Sequence, residues 1–294
     1  MFFHTKRFQY NAKPDNPDPI FAKQMQELLG GQWGEMSVMM GYLFQGWNCR
    51  GPAKYRDMLM DTATEEIGHV EMIATMIARL LETSPVEAEK AANDGGVVGS
   101  VLGGGDTEEA IVNAAMNPQH AIVTGGGAAP RDSLGNPWNA GYIVASGNLL
   151  ADMRFNVTAE SQGRLQVARL YQLTEDAGVR DMFSFLLARD TMHQNQWLAA
   201  IEELEADGLE ETPVPSNFPQ EREMSEVAYR FLNFSEGEES REGRWASGPS
   251  KDGKGKFEYV AEPAAMGPHM DELDPPVEPR LYSTPKQPMQ PSSS

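Results

Sequence analysis

Thr64-Glu65-Glu66-Ile67-Gly68-His69 lies inside a long apolar-periodic stretch, Asp57 to Leu81, and carries a carboxylate and an imidazole at i, i+3. On a helix that spacing points both side chains from one face toward the same buried point, so Glu66 and His69 read as a metal-ligand pair. A second half of similar construction follows, with Glu160 on one periodic segment and Asp190-Thr-Met-His193 on the next. Glu35 stands before His69 at nearly the separation that sets Glu160 before His193. Two helical hairpins, each offering a Glu from one arm and a carboxylate-x-x-His from the other, supply the ligands of a dinuclear site in a four-helix bundle. Glu35, Glu66 and Glu160 would be costly to bury as bare anions, and two divalent cations balance that charge.

The rest of the chain is organised around those hairpins. Asp18-Pro19 opens a first helix to about residue 47, since Asp caps free N–H groups and Pro loses nothing at the first helical position. After a short turn a second helix covers about 52–82, so the two are antiparallel neighbours. Asn136-Pro137 reads as the start of a third helix over about 137–174, and a fourth covers about 178–207. The Gly-rich stretch between the hairpins, about 83–135, is the long crossover that a bundle with parallel second and third helices requires. No Gly-Lys-Ser/Thr follows its glycine runs, so they are not read as a phosphate cradle. The fold class is therefore all-α, a ferritin-like four-helix bundle over residues 1–212. Residues 213–294 are rich in Pro and Gly and read as an extended arm packed on neighbouring subunits, with a short helical piece near 221–233.

Composition narrows the function classes. The chain has 294 residues, 40% of them hydrophobic, and a net charge of -19 from 43 acidic and 24 basic residues, which argues against nucleic acid or an anionic membrane as partner. The single Cys49 excludes an intrachain disulfide and a thiolate-held cluster. Residues 1–8 lack the apolar core of a secretory leader and no segment is long and apolar enough to span a bilayer, so the expected location is the cytoplasm. His4, His120 and His269 lie outside the helical repeat and are not expected to bind metal. Glu65 and Glu71 fall off the inward rows of the second helix and are expected to face solvent.

With these residues in place the chain resembles the manganese catalases, the non-haem dimanganese family, over essentially the whole bundle. The resemblance is carried by Gln32-Trp-Gly-Glu35 with Tyr42 two turns on, Thr64-Glu-Glu-Ile-Gly-His69, Glu160, and Arg189-Asp-Thr-Met-His-Gln194. It implies two manganese ions per subunit, bridged by Glu66 and completed by Glu35 and His69 on one side and Glu160 and His193 on the other. It also implies disproportionation of hydrogen peroxide to water and dioxygen, with the metal pair cycling between Mn(II)2 and Mn(III)2. Tyr42 resembles the family's outer phenol on a ligand carboxylate, and the proton acceptor would be bridging solvent or Asp190. A homohexamer is implied as well, and so is a calcium site formed by Asp57, Asp61, Asn233, Ser235 and Gly237, whose oxygens suit a hard cation. The chain departs from some family members in having Ala159, not Arg, before Glu160, which removes one expected partner of Asp190. Residue identity leaves a di-iron oxidase or ferroxidase open, since the same donors accept iron, and a non-catalytic shell protein is the alternative from another class.

Overall fold

The computed structural model describes residues 4–82, 123–208, 220–234 and 236–266. It divides into two compact units, Met1–Asn217 and Phe218–Ser294.

In the first unit five α-helices are described: α1 Pro19–Gly30, α2 Glu35–Asn48, α3 Ala53–Leu80, α4 Leu149–Leu173 and α5 Ala177–Asp207. Asp18 caps α1, accepting from the Phe21 amide at 2.9 Å. Asp176 caps α5 through the Val179 amide, and Gly208 ends α5 in the left-handed region at φ 63°. α2 packs along α3, and α4 along α5.

Two boundaries differ from the sequence reading. The expected helix over 19–47 is broken at 31–34 into α1 and α2. The chain is extended at both Gly31 and Gly34, and a side chain at Gly30 would collide with the Arg131 backbone that packs there. The third bundle helix begins at Leu149, not at Pro137. Asp132 is the reason: its carboxylate accepts from the Leu134 and Asn136 amides and from the Asn136 side chain, so Asn136-Pro137 closes a turn. Asn139 caps a short 3-10 turn, Ala140–Tyr142, and Asn148 is the true cap of α4 through the Ala151 amide. Residues 83–122 of the expected crossover, and with them His120, lie outside the described residues.

The bundle interior has an apolar cluster at each end. One is built from residues such as Phe21, Met25, Met72, Ile73, Met76, Val167, Met182, Phe183 and Leu186. The other contains Tyr42, Tyr55, Leu59, Ala63, Leu150, Met153, Trp197 and Leu204. Glu66 and His69 fall between the two clusters along α3, as do Asp190 and His193 along α5. Burial of both apolar ends thus holds a polar layer dry and fixed between them.

The second unit carries a short helix, α6 Ser225–Ala228, and three strands, β1 Arg230–Leu232, β2 Ser247–Pro249 and β3 Lys256–Val260. The strand order is β1-β3-β2, with β1 parallel and β2 antiparallel to β3. Phe231 stacks on Tyr259 at 6.0 Å and packs near Trp245. The protein is mostly helical, but this small sheet was not anticipated in a stretch read as an extended arm. Its short pairings join residues far apart in sequence, which local pattern does not register.

Candidate metal centre

Glu35 opens α2, Glu66 and His69 lie mid-way along α3, Glu160 lies on α4, and Asp190 and His193 lie on α5. All six are buried. The structure brings the five sequence-derived ligands into two triads, Glu35 with Glu66 and His69, and Glu66 with Glu160 and His193. Within each triad one donor atom per residue lies within 4.8 Å of the others. Glu66 belongs to both.

The contacts show which ring nitrogens face the carboxylates. His69 Nδ1 is 2.6 Å from Glu66 Oε2 and 3.8 Å from Glu35 Oε2. His193 Nδ1 is 2.9 Å from Glu66 Oε1 and 3.6 Å from Glu160 Oε1. Yet among the described residues Glu66 Oε2 and both nitrogens of each histidine have no hydrogen-bond partner. Donor atoms this close and this buried form two groups, each of which could hold a cation. The donor set fits two divalent ions: three carboxylates and two imidazoles, hard to borderline in character.

Electrostatics support the same reading. Burial pushes Glu35 up to about 8, with the charge of Glu66 adding to it. Burial, and then the charges of Glu35, Glu160 and Glu66, push Asp190 well above the carboxylate range. Glu160 is raised by burial too. Glu66 goes the other way, because His69 and His193 outweigh the burial that acts to raise it. Burial acts to lower both imidazoles, but the surrounding carboxylates raise them. Without cations this cluster keeps protons near neutral pH, and metal binding displaces them.

Tyr42 donates its hydroxyl to Glu160 Oε1 at 2.6 Å and its ring lies 4.9 Å from Trp197. Asp190 is buried beside the triads without joining either. Asp57 and Asp61 are exposed one turn apart on α3. Asn233 and Gly237 belong to the second unit, and Ser235 lies outside the described residues, as does His269. His4 Nε2 lies 2.7 Å from Glu71 Oε1, in a contact near the surface.

Glu65 overturns its sequence reading. It was expected to face solvent, but its side chain is only 24% exposed and is gripped by Arg189 through both oxygens. Burial acts to raise its pKa, but His193 and Arg189 bring it down to about 2. The signal for it was available: Glu65 stands four residues before His69 on α3, and Arg189 four before His193 on α5. Judging Glu65 by its angle from Glu66 missed its alignment with His69.

A ferritin-like bundle that gathers two carboxylate-histidine triads around one shared glutamate defines a dinuclear metal protein. The family model for manganese containing catalase matches residues 1–290. A manganese catalase of Bacillus subtilis is 61% identical over 267 residues, covering 91% of this chain and 93% of its own length. A manganese catalase of Lactiplantibacillus plantarum is 49% identical over 288 residues, covering 96% and 99%. The crystal structure of wild-type KatB, a manganese catalase from Anabaena, superposes with a TM-score of 0.67 at 26% identity, covering 90% of this chain and all of that one. The chain belongs to the manganese-containing catalase family.

Proposed function

We infer that the protein disproportionates hydrogen peroxide to water and dioxygen at two manganese ions held by Glu35, Glu66, His69, Glu160 and His193. The observation that carries the site assignment is the pair of buried triads sharing Glu66, with donor atoms that find no partner in one another. When bound, the metal pair supplies a two-electron reservoir, so that one peroxide is reduced to water and the next is oxidised to dioxygen. The chain's own residues provide the rest. Glu66, shared by the two triads, would help to hold both ions, and Tyr42 orients Glu160 by its hydroxyl. The carboxylate of Asp190, buried beside the triads, would take one of the two protons released when a peroxide is oxidised to dioxygen and return it when the next is reduced to water, with solvent at the site carrying the other. The same donors would accept iron, but family membership favours manganese over the di-iron and shell-protein alternatives.

Metal analysis of the purified protein together with oxygen release from peroxide tests this reading. Two manganese ions per chain and dioxygen at half the peroxide consumed are expected. Iron in their place, or manganese without dioxygen, refutes it.

A homohexamer, calcium bound through Asp57, Asp61, Asn233, Ser235 and Gly237, a role for residues 213–294 as an arm on neighbouring subunits, and a cytoplasmic location complete the proposal. They rest on the family resemblance, on the exposed acid pair of α3 and on the single cysteine. No described helix is long and apolar enough to cross a membrane. Light scattering and calcium titration after chelation check the first two. A monomer, or no calcium uptake, removes them.

A further inference from the structure

We propose that Glu65 is a positioning residue shared by both histidines, accepting from the Nε2 of each through one of its two oxygens, and that Arg189 holds it in place. The proposal rests on the metal reading above. Because Nδ1 of each histidine faces the triads, Nε2 of each points away from them. The two rings stack at 5.8 Å with 27° between their planes, which carries both Nε2 atoms to the same side. Glu65 is what meets them there. Its Oε2 is 3.3 Å from His193 Nε2, and its Oε1 is 3.7 Å from His69 Nε2.

An imidazole that binds a cation through Nδ1 carries its proton on Nε2, and that proton needs an acceptor to hold the ring's tautomer and angle. Both Nε2 atoms are buried and neither makes a hydrogen bond among the described residues, so Glu65 is the acceptor within reach of both. The other groups on this side are unsuited to accept. Phe185 presents its ring to His69 edge-on at 6.3 Å, and Tyr10 is stacked on Phe185 with its hydroxyl donated to Asp181. The glutamate is itself fixed at its carboxylate and at its backbone. Arg189 reaches its two oxygens with Nε and Nη2, a two-point grip that sets the plane of the carboxylate. Gln9 donates to the Glu65 backbone carbonyl at 3.0 Å. Gly68 leaves the room for Gln9, since a side chain there would collide with the Gln9 amide.

The competing account is an ordinary helix-to-helix ion pair between α3 and α5, which would contribute little. Manganese affinity separates the two. Metal-free wild type, Glu65→Ala, Glu65→Gln and Arg189→Ala are titrated with Mn(II) against a chelating dye, and each metal-free protein is melted. Glu65→Ala is expected to weaken both ions by about 10- to 100-fold, the range for outer partners of ligand histidines. Glu65→Gln keeps one acceptor oxygen and should weaken one ion by that factor and spare the other. Arg189→Ala should produce a smaller loss at both. Wild-type affinity in Glu65→Ala, with only the melting temperature changed, would mark a plain ion pair and overturn the proposal. Loss at one ion alone in that variant would overturn the shared role. If Glu65→Ala does not fold, unchanged affinity of both ions in Glu65→Gln overturns it equally. A wild type that binds fewer than two ions defeats the metal reading itself.

Discussion

Tyr42→Phe removes one oxygen atom from a fully buried ring and leaves the rest of its packing in place. The ring keeps its contact with Trp197 at 4.9 Å, so the fold has little to lose. What disappears is the 2.6 Å hydrogen bond to Glu160 Oε1, the oxygen that also faces His193 Nδ1. A hydrogen bond to a charged group is worth about 1.5–3 kcal/mol. At about 1.4 kcal/mol per factor of ten, that corresponds to roughly a 10- to 150-fold weakening of metal affinity, comparable to the 10- to 100-fold known for outer partners of metal ligands. Because the lost partner touches Glu160 and not Glu35, the effect should fall on the ion of the Glu66–Glu160–His193 triad. Titration of metal-free protein with Mn(II) against a chelating dye should show one weakened step and one unchanged step. Under saturating manganese both ions remain, and oxygen evolution drops by up to about 100-fold. Equal weakening of both steps, or wild-type affinity together with wild-type turnover, would refute the reasoning.

Glu160→Ala or His193→Ala should lose one metal per chain and nearly all dismutation, since two-electron chemistry needs both ions; elemental analysis showing two retained metals would contradict the assignment. The metal-free protein should lose stability as pH rises. Glu35 is raised in the folded state from its ordinary 4.5 to about 8, so the native state binds the extra proton, and its contribution is full below 4.5 and lost by about 8. Calorimetry from pH 4.5 to 8.5 should show the metal-free melting temperature falling while Mn(II) affinity rises, because binding displaces those protons. Gly178→Ala should destabilise the protein by about 1–2 kcal/mol: overpacking costs about 1–3 kcal/mol and helix propensity returns up to about 1 kcal/mol. A side chain there would collide with the Lys13 carbonyl, where residues 15 and 16 are pinned to Asp176. An unchanged melting temperature would show that this N-terminal crossing yields without cost.

The legible part of this protein is the part whose geometry is local. Glu66 and His69 share a helix, and a spacing of three residues fixes their common direction before any packing occurs. Asp190 with His193 repeats the arrangement, Asp18 and Asp176 mark helix starts through bonds that span three residues, and Gly208 ends α5 by its own left-handed backbone. Those signals are sufficient to indicate a helical bundle and to nominate its buried polar layer. Other features depend on contacts between distant segments. The break between α1 and α2 depends on the Arg131 backbone pressed against Gly30. The start of α4 is an exception, since it was missed although its cause is local: Asp132 takes the Asn136 amide four residues on and diverts an apparent helix start into a turn. Glu65 becomes a partner of the site only because α5 brings Arg189 and His193 to it across the bundle. The sequence by itself determined the main inward row of each helix, though not the place of Glu65 beside it, because helical periodicity is a property of the local chain. Only the tertiary structure decided which of those faces meet, where helices break to allow it, and which atom of each histidine the surrounding carboxylates address, because these follow from packing between segments far apart in the chain.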